Sequence, residues 1–464
     1  MPNKVDIHFN ISERKILLRI FDLLSVFVSL YVIGHFFEFD YFYIDSENCV
    51  WITVLAIYLT VFGTVFELYD LQKASKKESV LANIVLTVSV TVLFYLLTPF
   101  FTPFLPVNRL QILYFYLAIT IALVVWRLAY ITFITSPRFY KKALIVGEVS
   151  NIQPIINAFK IADPNYKVVG FINCEEKRAD TIKINGVKEF QPSVLREIIV
   201  KEKISEVVVA SYNSETITPE IYHDLISLLE KGFPIREYTQ VYEDMTNRVP
   251  VQFVGKDFYK YFPFSRSNQN KLYLFFHRLF DVFLSILGIV ATVFIMPLIL
   301  LGNVLGNRGP LFYTQERVGK NGDLFNIVKF RSMVTDAEKN GAVWASKNDA
   351  RVTFFGKFLR KSRLDELPQF INILKGDMSL IGPRPERPCF VEELSQVIPF
   401  YETRHIVKPG LTGWAQVKVR YGSSVDDSLL KLQYDLYYIK HRSFFLDANI
   451  IIKTMSTMIF FRGQ

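Results

Sequence analysis

The chain has 464 residues, room for roughly three domains of ordinary size, and 51% of them are hydrophobic and 15% aromatic. That apolar content is high for a soluble protein. The formal charge of +9 points to an anionic membrane surface or phosphorylated substrates, with nucleic acid as the alternative. Three widely spaced Cys exclude a disulfide framework and a zinc site of the usual spacing.

Four apolar runs are long enough to cross a bilayer: about Ile16–Phe37, Val50–Leu68, Val80–Phe101 and Leu110–Ile134. No small-residue cleavage pattern follows the first, so a cleavable signal peptide is not expected. Their flanks alternate in charge. Arg14, Lys15 and Arg19 precede the first run; Lys73, Lys76 and Lys77 lie between the second and third; Arg138, Lys141 and Lys142 follow the fourth. The other two loops hold Glu38, Asp40, Asp45 and Glu47, or only Arg109 among prolines. Positive loops mark the cytoplasmic side, so both ends of a four-helix transmembrane bundle, residues 1–138, are expected there.

Residues 139–262 read as a Rossmann-like α/β domain. Buried strands are expected at Lys142–Gly147, Val168–Ile172 and Glu206–Ala210, with helices at about Ile152–Ile161, Val194–Glu202 and Pro219–Gly232. The first turn, Gly147-Glu-Val-Ser-Asn-Ile152, lacks the GxGxxG fingerprint, and no Tyr-x-x-x-Lys pair occurs in this segment. A regulatory or structural role is expected there rather than dinucleotide chemistry.

A fifth apolar run, Leu279–Leu301, has basic residues on both flanks: Lys271 and Arg278 before, Arg308, Arg317 and Lys320 after. Both flanks are therefore expected in the cytoplasm. Pro297 lies inside the run, where it removes a backbone hydrogen bond. A re-entrant helix over about 277–305, entering and leaving one leaflet, satisfies both facts. Asp281 is expected at headgroup depth, paired with Arg278.

From Arg308 to Arg363 there are 12 Lys/Arg against 5 Asp/Glu, a field suited to a di- or triphosphate. Within Arg360-Lys-Ser-Arg-Leu-Asp-Glu-Leu-Pro-Gln369, the carboxylates Asp365 and Glu366 sit among three cations. Such surroundings favour the ionised form, which can attack phosphorus or hold Mg²⁺. Pro368 is tolerated near a helix start, so a helix over about Leu364–Leu374 would begin at the dyad and set it at the positive end of the dipole. A solvated helix end with surface ion pairs is the plain alternative.

Several motifs occur in order: Arg278-Leu-Phe-Asp281, Gly309-Pro-Leu-Phe312, Gln315-Glu-Arg-Val-Gly-Lys-Asn-Gly322, Lys329-Phe-Arg-Ser-Met333, Leu364-Asp-Glu-Leu-Pro-Gln369, Gly376-Asp-Met-Ser-Leu-Ile-Gly-Pro-Arg-Pro385 and Lys408-Pro-Gly-Leu-Thr-Gly-Trp-Ala-Gln416. They resemble the bacterial sugar transferase domain of polyprenyl-phosphate glycosyl-1-phosphate transferases. With the bundle and the α/β segment, the chain resembles the large form of that family. The resemblance implies an α+β monotopic catalytic domain over 263–464 in the bacterial inner membrane, facing the cytoplasm. It implies transfer of sugar-1-phosphate from a UDP-sugar to undecaprenyl phosphate, releasing UMP and starting exopolysaccharide or capsule synthesis. It further implies Asp365 as a nucleophile that carries the phosphosugar covalently, Mg²⁺ as cofactor, and glucose as the commonest sugar.

The residues fit these roles. Glu366 either helps hold the metal or positions Asp365. Arg360 is placed as a phosphate clamp, and Arg384 is stiffened between Pro383 and Pro385. Lys329 and Arg331 share a face if they lie on a strand. Arg317, Arg404 and Lys408 are further candidate phosphate ligands, and His405 is expected to be structural. Tyr421-Gly-Ser-Ser424 with Asp426 and Asp427 either meets the sugar or caps a helix. The tail, Phe444–Phe460, reads as a helix packed on the domain or lying in the interface. Membrane lipids are expected partners and nucleic acid is not; a homo-oligomer is compatible with the sequence. The competing readings are a non-catalytic membrane scaffold for polysaccharide assembly and a membrane-anchored nucleotide-sugar dehydratase or epimerase.

Overall fold

A computed structural model describes residues 11–36, 39, 41–42, 44–45, 48–74, 77–133, 140–163, 165–174, 187–210, 217–253, 266–307, 309–337, 339, 349–419 and 424–459. The chain divides into two compact units, residues 1–246 and 247–464.

The first unit opens with four apolar helices, Ile11–Phe36, Cys49–Val65, Lys77–Leu97 and Leu110–Phe133, on the four expected runs. Their inward residues, among them Val26, Leu30, Leu55, Val88 and Phe115, form one core. Ile20, Leu24, Ile57, Leu93 and Ile121 stay exposed, as hydrocarbon-facing residues do. Among the described residues, the helices long and apolar enough to cross a membrane are Glu13–Phe36, Glu78–Leu97, Leu110–Phe133 and Lys271–Asn307. The second expected span is a shorter helix of 17 residues. At 1.5 Å per residue it covers about 26 Å of a hydrocarbon layer about 30 Å thick. A buried ion pair ties the first helix to the fourth: Arg127 donates to both carboxylate oxygens of Asp22, at 3.0 and 2.6 Å. Buried charge is tolerated in such a place only when paired. Nearer its start the first helix bonds through Arg14 to Asp163.

Residues 141–246 form a five-stranded parallel sheet in the order β3-β2-β1-β4-β5. β1 (Lys141–Gly147), β2 (Tyr166–Asn173) and β4 (Glu206–Ala210) fall on the three expected strands. Ala143 to Val146 are fully buried because β1 is central and covered on both faces. β3 (Lys188–Phe190) and β5 (Ile235–Glu237) were not expected; at three residues each they carry too short a pattern to be read. Among the described residues, Cys49, Cys174 and Cys389 form no disulfide.

The second unit is built along one helix, Lys271–Gly302, which runs on through Pro297 and ends in a π turn at Asn303–Asn307. Asn270 caps its start, accepting from the N–H groups of Leu272 and Tyr273. Gly288 and Gly302 are seats for Phe370 and Phe355: a Cβ there would lie 2.4 and 2.2 Å from those rings. β6 (Phe312–Val318) and β7 (Leu324–Phe330) form an antiparallel hairpin in which Tyr313 faces Lys329 and Arg317 faces Phe325. β8 (Ser379–Ile381) and β9 (Gly410–Thr412) pair in parallel. Val249 and Val251 join Ile381, Leu394, Trp414, Leu432 and Leu436 in the main core of this unit. Ser424 caps helix Val425–His441 in a capping box with Asp427; Tyr421–Ser423 lie outside the described residues. The tail helix is Phe444–Ile459, with Asp447 and Ile450 buried.

The expected Arg278–Asp281 pair is not formed. The Asp281 carboxylate accepts from the Leu380 N–H at 2.9 Å and from Ser379 Oγ at 3.1 Å, and it faces His277 at 3.6 Å. Arg278 donates instead to the carbonyls of Ile373 and Leu374, at 2.6 and 2.8 Å. The last carbonyls of helix Gln369–Lys375 are a stronger draw for a guanidinium than a carboxylate already engaged with β8.

Candidate active site

Helix Phe354–Ser362 begins where Thr353 Oγ1 accepts from the Gly356 N–H at 2.9 Å. It ends because Arg363 takes a left-handed conformation, φ 61°, and its N–H closes onto the Arg360 carbonyl. The dyad follows in a tight 3₁₀ turn, Leu364–Glu366, closed by the N–H of Leu367 on the Leu364 carbonyl at 3.2 Å. Pro368 then caps helix Gln369–Lys375. The expected single helix over Leu364–Leu374 is therefore two pieces, and the dyad precedes the helix rather than occupying its first turn. Pro368 has no N–H to give, so the helical ladder starts only beyond it.

Asp365 and Glu366 are each only 8% exposed. Glu366 accepts from Arg384 at 3.0 Å and, more loosely, from Arg363 at 3.4 Å. Burial acts to raise its pKa, but Arg384, Lys329 and Arg363 outweigh it and hold the carboxyl below its ordinary range. Asp365 goes the other way. Burial and the adjacent Glu366 charge raise it to about 6, against the pull of Lys329, Arg360 and Arg363. The expectation that surrounding cations favour the ionised form thus holds for Glu366 and fails for Asp365. Asp365 Oδ1 is buried with no hydrogen-bond partner.

Beside the dyad, Arg317, Ile327, Lys329, Gln369, Arg384 and Pro385 line a small recess. The strand alternation places Arg317 and Lys329 on one face of the hairpin. Burial, then Arg384, lowers Lys329 to about 8. Burial lowers Arg317 to about 10. Arg317 donates to the Pro385 carbonyl at 3.0 Å and to Gln315 at 2.7 Å, so it fixes the loop that carries Arg384. Arg360 donates to Ser332 Oγ at 3.0 Å, and its charge reaches Asp365. Arg331 follows β7, donates to the Pro310 carbonyl at 2.9 Å and lies over the Tyr313 ring.

Two expected phosphate ligands are placed elsewhere. Arg404 is buried and donates to Asp435 at 2.8 Å, Tyr401 at 2.6 Å and the Arg384 carbonyl at 3.1 Å. It is a brace behind Arg384, because an internal carboxylate claims its guanidinium. Lys408 stands by Gly376 and Arg278, at the far end of helix Gln369–Lys375 from the dyad. Its parallel pairing through Gly410 to Ser379 holds it there. Burial, then Arg404, pushes His405 down to about 4. It lines a separate groove of about 560 Å³, with Glu392, Ser395 and Glu402, whose lining includes neither dyad residue. Sequence reasoning gave no specific role to Gln369, Arg363 (counted only among the cations before the dyad), Ser332 or Asp435. The first three lie within or beside the quoted motifs, which was the available signal; Asp435 carried none.

The donor set suits a metal only in part. Among the described residues no group of three or more His, Cys, Asp or Glu side chains converges. Asp365 offers an unengaged oxygen, whereas both oxygens of Glu366 are taken by arginines.

Residues 272–461, which hold all of these groups, match the sequence profile of the bacterial sugar transferase family. The chain is 39% identical over 257 residues to a UDP-N-acetylgalactosamine-undecaprenyl-phosphate N-acetylgalactosaminephosphotransferase of Aeromonas hydrophila, covering 55% of this chain and 59% of that one. It is 48% identical over 144 residues to a Bacillus subtilis protein named for undecaprenyl-phosphate N-acetylgalactosaminyl 1-phosphate transfer, covering 30% of this chain and 79% of that one. It is 41% identical over 192 residues to an undecaprenyl-phosphate glucose phosphotransferase of Komagataeibacter xylinus, covering 40% of this chain and 36% of that one. The matched region thus spans under two thirds of the Aeromonas and Komagataeibacter proteins. Across the profile and most of the length of the Bacillus relative, the chain belongs to the bacterial sugar transferase family.

Proposed function

We propose that the protein transfers sugar-1-phosphate from a UDP-sugar to undecaprenyl phosphate at the cytoplasmic face of the inner membrane, in two steps through Asp365, and so starts a surface polysaccharide. In the first step an oxygen of the ionised Asp365 carboxylate bonds to the sugar-bearing β-phosphorus. The bond from that phosphorus to the bridging oxygen breaks, and UMP leaves with the bridging oxygen. In the second step an oxygen of the lipid phosphate attacks the same phosphorus and Asp365 departs as carboxylate. Neither step needs a proton from the protein, which suits a site where His405 lies elsewhere and is neutral.

The observation that carries this reading is the split within the dyad. Glu366 is locked between Arg384 and Arg363, while Asp365 keeps an unengaged oxygen beside a cationic recess. One carboxylate is built into the scaffold and the other is left to react. Asp365, with phosphate oxygens and water, would hold Mg²⁺, which supplies charge neutralisation of the diphosphate. Glu366 then positions rather than ligates. Lys329 provides charge toward the β-phosphate, Arg384 and Arg360 hold the two flanks of the dyad, and Arg317 and Arg404 brace the Arg384 loop.

The long helix is read as re-entrant. Asp281 near its start and Asn307 at its end both bond to the one compact unit, through Leu380 and Arg331, and Gly288 seats Phe370 between them. Cysteines at Phe275 and Leu305, both exposed, should be labelled only from the cytoplasmic side. Labelling of position 305 from the periplasm alone would make the helix a span.

The deciding experiment uses purified full-length protein in nanodiscs. UDP-N-acetylgalactosamine and UDP-glucose, the donors suggested by the relatives' names and by the family's common case, head a donor panel. A UMP burst limited by active sites should appear before lipid phosphate is added, followed by ping-pong kinetics, and Asp365→Asn should abolish both. Intersecting kinetics without a burst, and an active Asp365→Asn, would sink the covalent route. No UMP from any donor would favour the scaffold reading.

A further inference from the structure

We propose that Gln369 is a catalytic residue: its side-chain amide donates to a non-bridging oxygen of the phosphoryl group as that group passes from UMP to Asp365. The inference rests on the transferase reading and adds to it a neutral donor among the cations.

Gln369 is the first residue of the helix after the dyad turn, four residues beyond Asp365. It is only 3% exposed, yet its Nε2 has no hydrogen-bond partner. A buried amide donor left unpaired costs stability, and such groups call for an explanation. Its neighbour three residues on shows the contrast. Asn372 is equally buried and fully used, accepting from the Val328 N–H at 3.1 Å and donating to the Asn326 carbonyl at 2.8 Å. Asn372 fastens the helix to β7; Gln369 faces the recess shared with Arg317, Lys329 and Arg384.

Two cations of that recess are partly engaged by the protein itself, although Arg317 Nε has no hydrogen-bond partner. Arg384 holds Glu366, and Arg317 holds Pro385 and Gln315. Lys329 lies within electrostatic reach of Asp365, Glu366 and Arg384. A phosphoryl group at Asp365 brings negative oxygens toward two carboxylates. A directed N–H on that side stabilises the charge without further shifting the dyad's ionisation. Preorganised donors of this kind act mainly on the transition state.

The test is the burst in full-length protein in nanodiscs, with whichever donor the wild type accepts. Gln369→Met keeps the length and apolar stem and removes the donor. The burst rate constant at saturating donor should fall by about 10²–10³-fold, with the donor concentration for half-saturation changed by less than about threefold. A burst at the wild-type rate, or a loss confined to donor affinity, overturns the inference. A second measurement has a wild-type arm that does not depend on the variant's folding. A donor with sulfur at one non-bridging β-oxygen should react slowly in the wild type for one diastereomer. Gln369→Met should lose that discrimination. Equal wild-type rates for both diastereomers also overturn the proposal. If the wild type releases no UMP at all, the transferase reading has failed; if it bursts and Gln369→Met matches it, only this assignment has.

Discussion

Asp365 and Glu366 are adjacent, chemically near-identical and equally buried, yet they are driven apart. Arg384 and Arg363 take Glu366, whereas at Asp365 burial and the adjacent negative charge outweigh Lys329, Arg360 and Arg363. In the proposed two-step route the attacking form of Asp365 is the carboxylate, so the burst rate should fall about tenfold per pH unit below about 6. The lipid phosphate titrates in the same range, so the burst, which precedes it, is the measurement to use. Above about 8, Lys329 loses its charge, and the alkaline limb should shift upward in Lys329→Arg. A profile flat from pH 5 to 9 would contradict both assignments. A stability effect follows with a definite sign. Asp365 is raised from 3.8 to about 6, so it weakens the fold progressively as pH rises through that window. Asp365→Asn should therefore be inactive yet more stable than wild type at pH 7.5, by about 1–3 kcal/mol, with the gain shrinking toward pH 4. Melting curves at the two pH values decide this.

At the scale of elements, helix contacts are set by a few polar or small residues placed among many interchangeable apolar ones. Asp22 and Arg127 fix the register of the first helix against the fourth; each is almost wholly removed from solvent. Arg127→Met leaves a buried carboxylate unpaired and should destabilise the bundle by about 3–5 kcal/mol. Adding Asp22→Leu should recover most of that loss, because an apolar pair has no charge to desolvate. Melting temperatures of the full chain in nanodiscs check the cycle, and additive losses in the double variant would refute it. In the second unit the same economy appears as Gly288 under Phe370 and Gly302 under Phe355, which seat the segments on either side of the dyad turn against one helix.

At the scale of the whole molecule, the compact second unit starts at Asn247. The Asn247 carbonyl accepts from Trp414 Nε1 at 3.3 Å, its side chain accepts from Tyr437 at 2.9 Å, and Val249 and Val251 are buried in the core beyond. A chain starting at residue 262 removes two valines worth about 1.5–3 kcal/mol each when fully buried. It should melt several degrees below one starting at residue 247, with a smaller burst amplitude from less folded protein. Equal melting temperatures and bursts would show that residues 247–253 contribute nothing to this unit.

By itself the sequence determined what short-range chemistry can specify. Apolar runs set the membrane helices to within a few residues, and the apolar blocks of β1, β2 and β4 marked the parallel sheet. The ordered motifs, with the basic stretch before the dyad, brought Asp365, Glu366, Arg360, Lys329 and Arg384 forward as one group, since each carries its charge in its own residue type. Tertiary structure decided everything that depends on a partner distant in sequence. β3 and β5 exist only as edges of a sheet already formed, so three residues gave no period to read. Arg404 became a brace because Asp435, 31 residues on, claims it. Lys408 went to the far end of helix Gln369–Lys375 because β9 pairs with β8. Asp281 turned from Arg278 to the backbone of Leu380, 99 residues away. The opposite ionisation of the two dyad carboxylates has the same origin: burial and the reach of Arg384 are properties of the folded chain, and no local pattern encodes them.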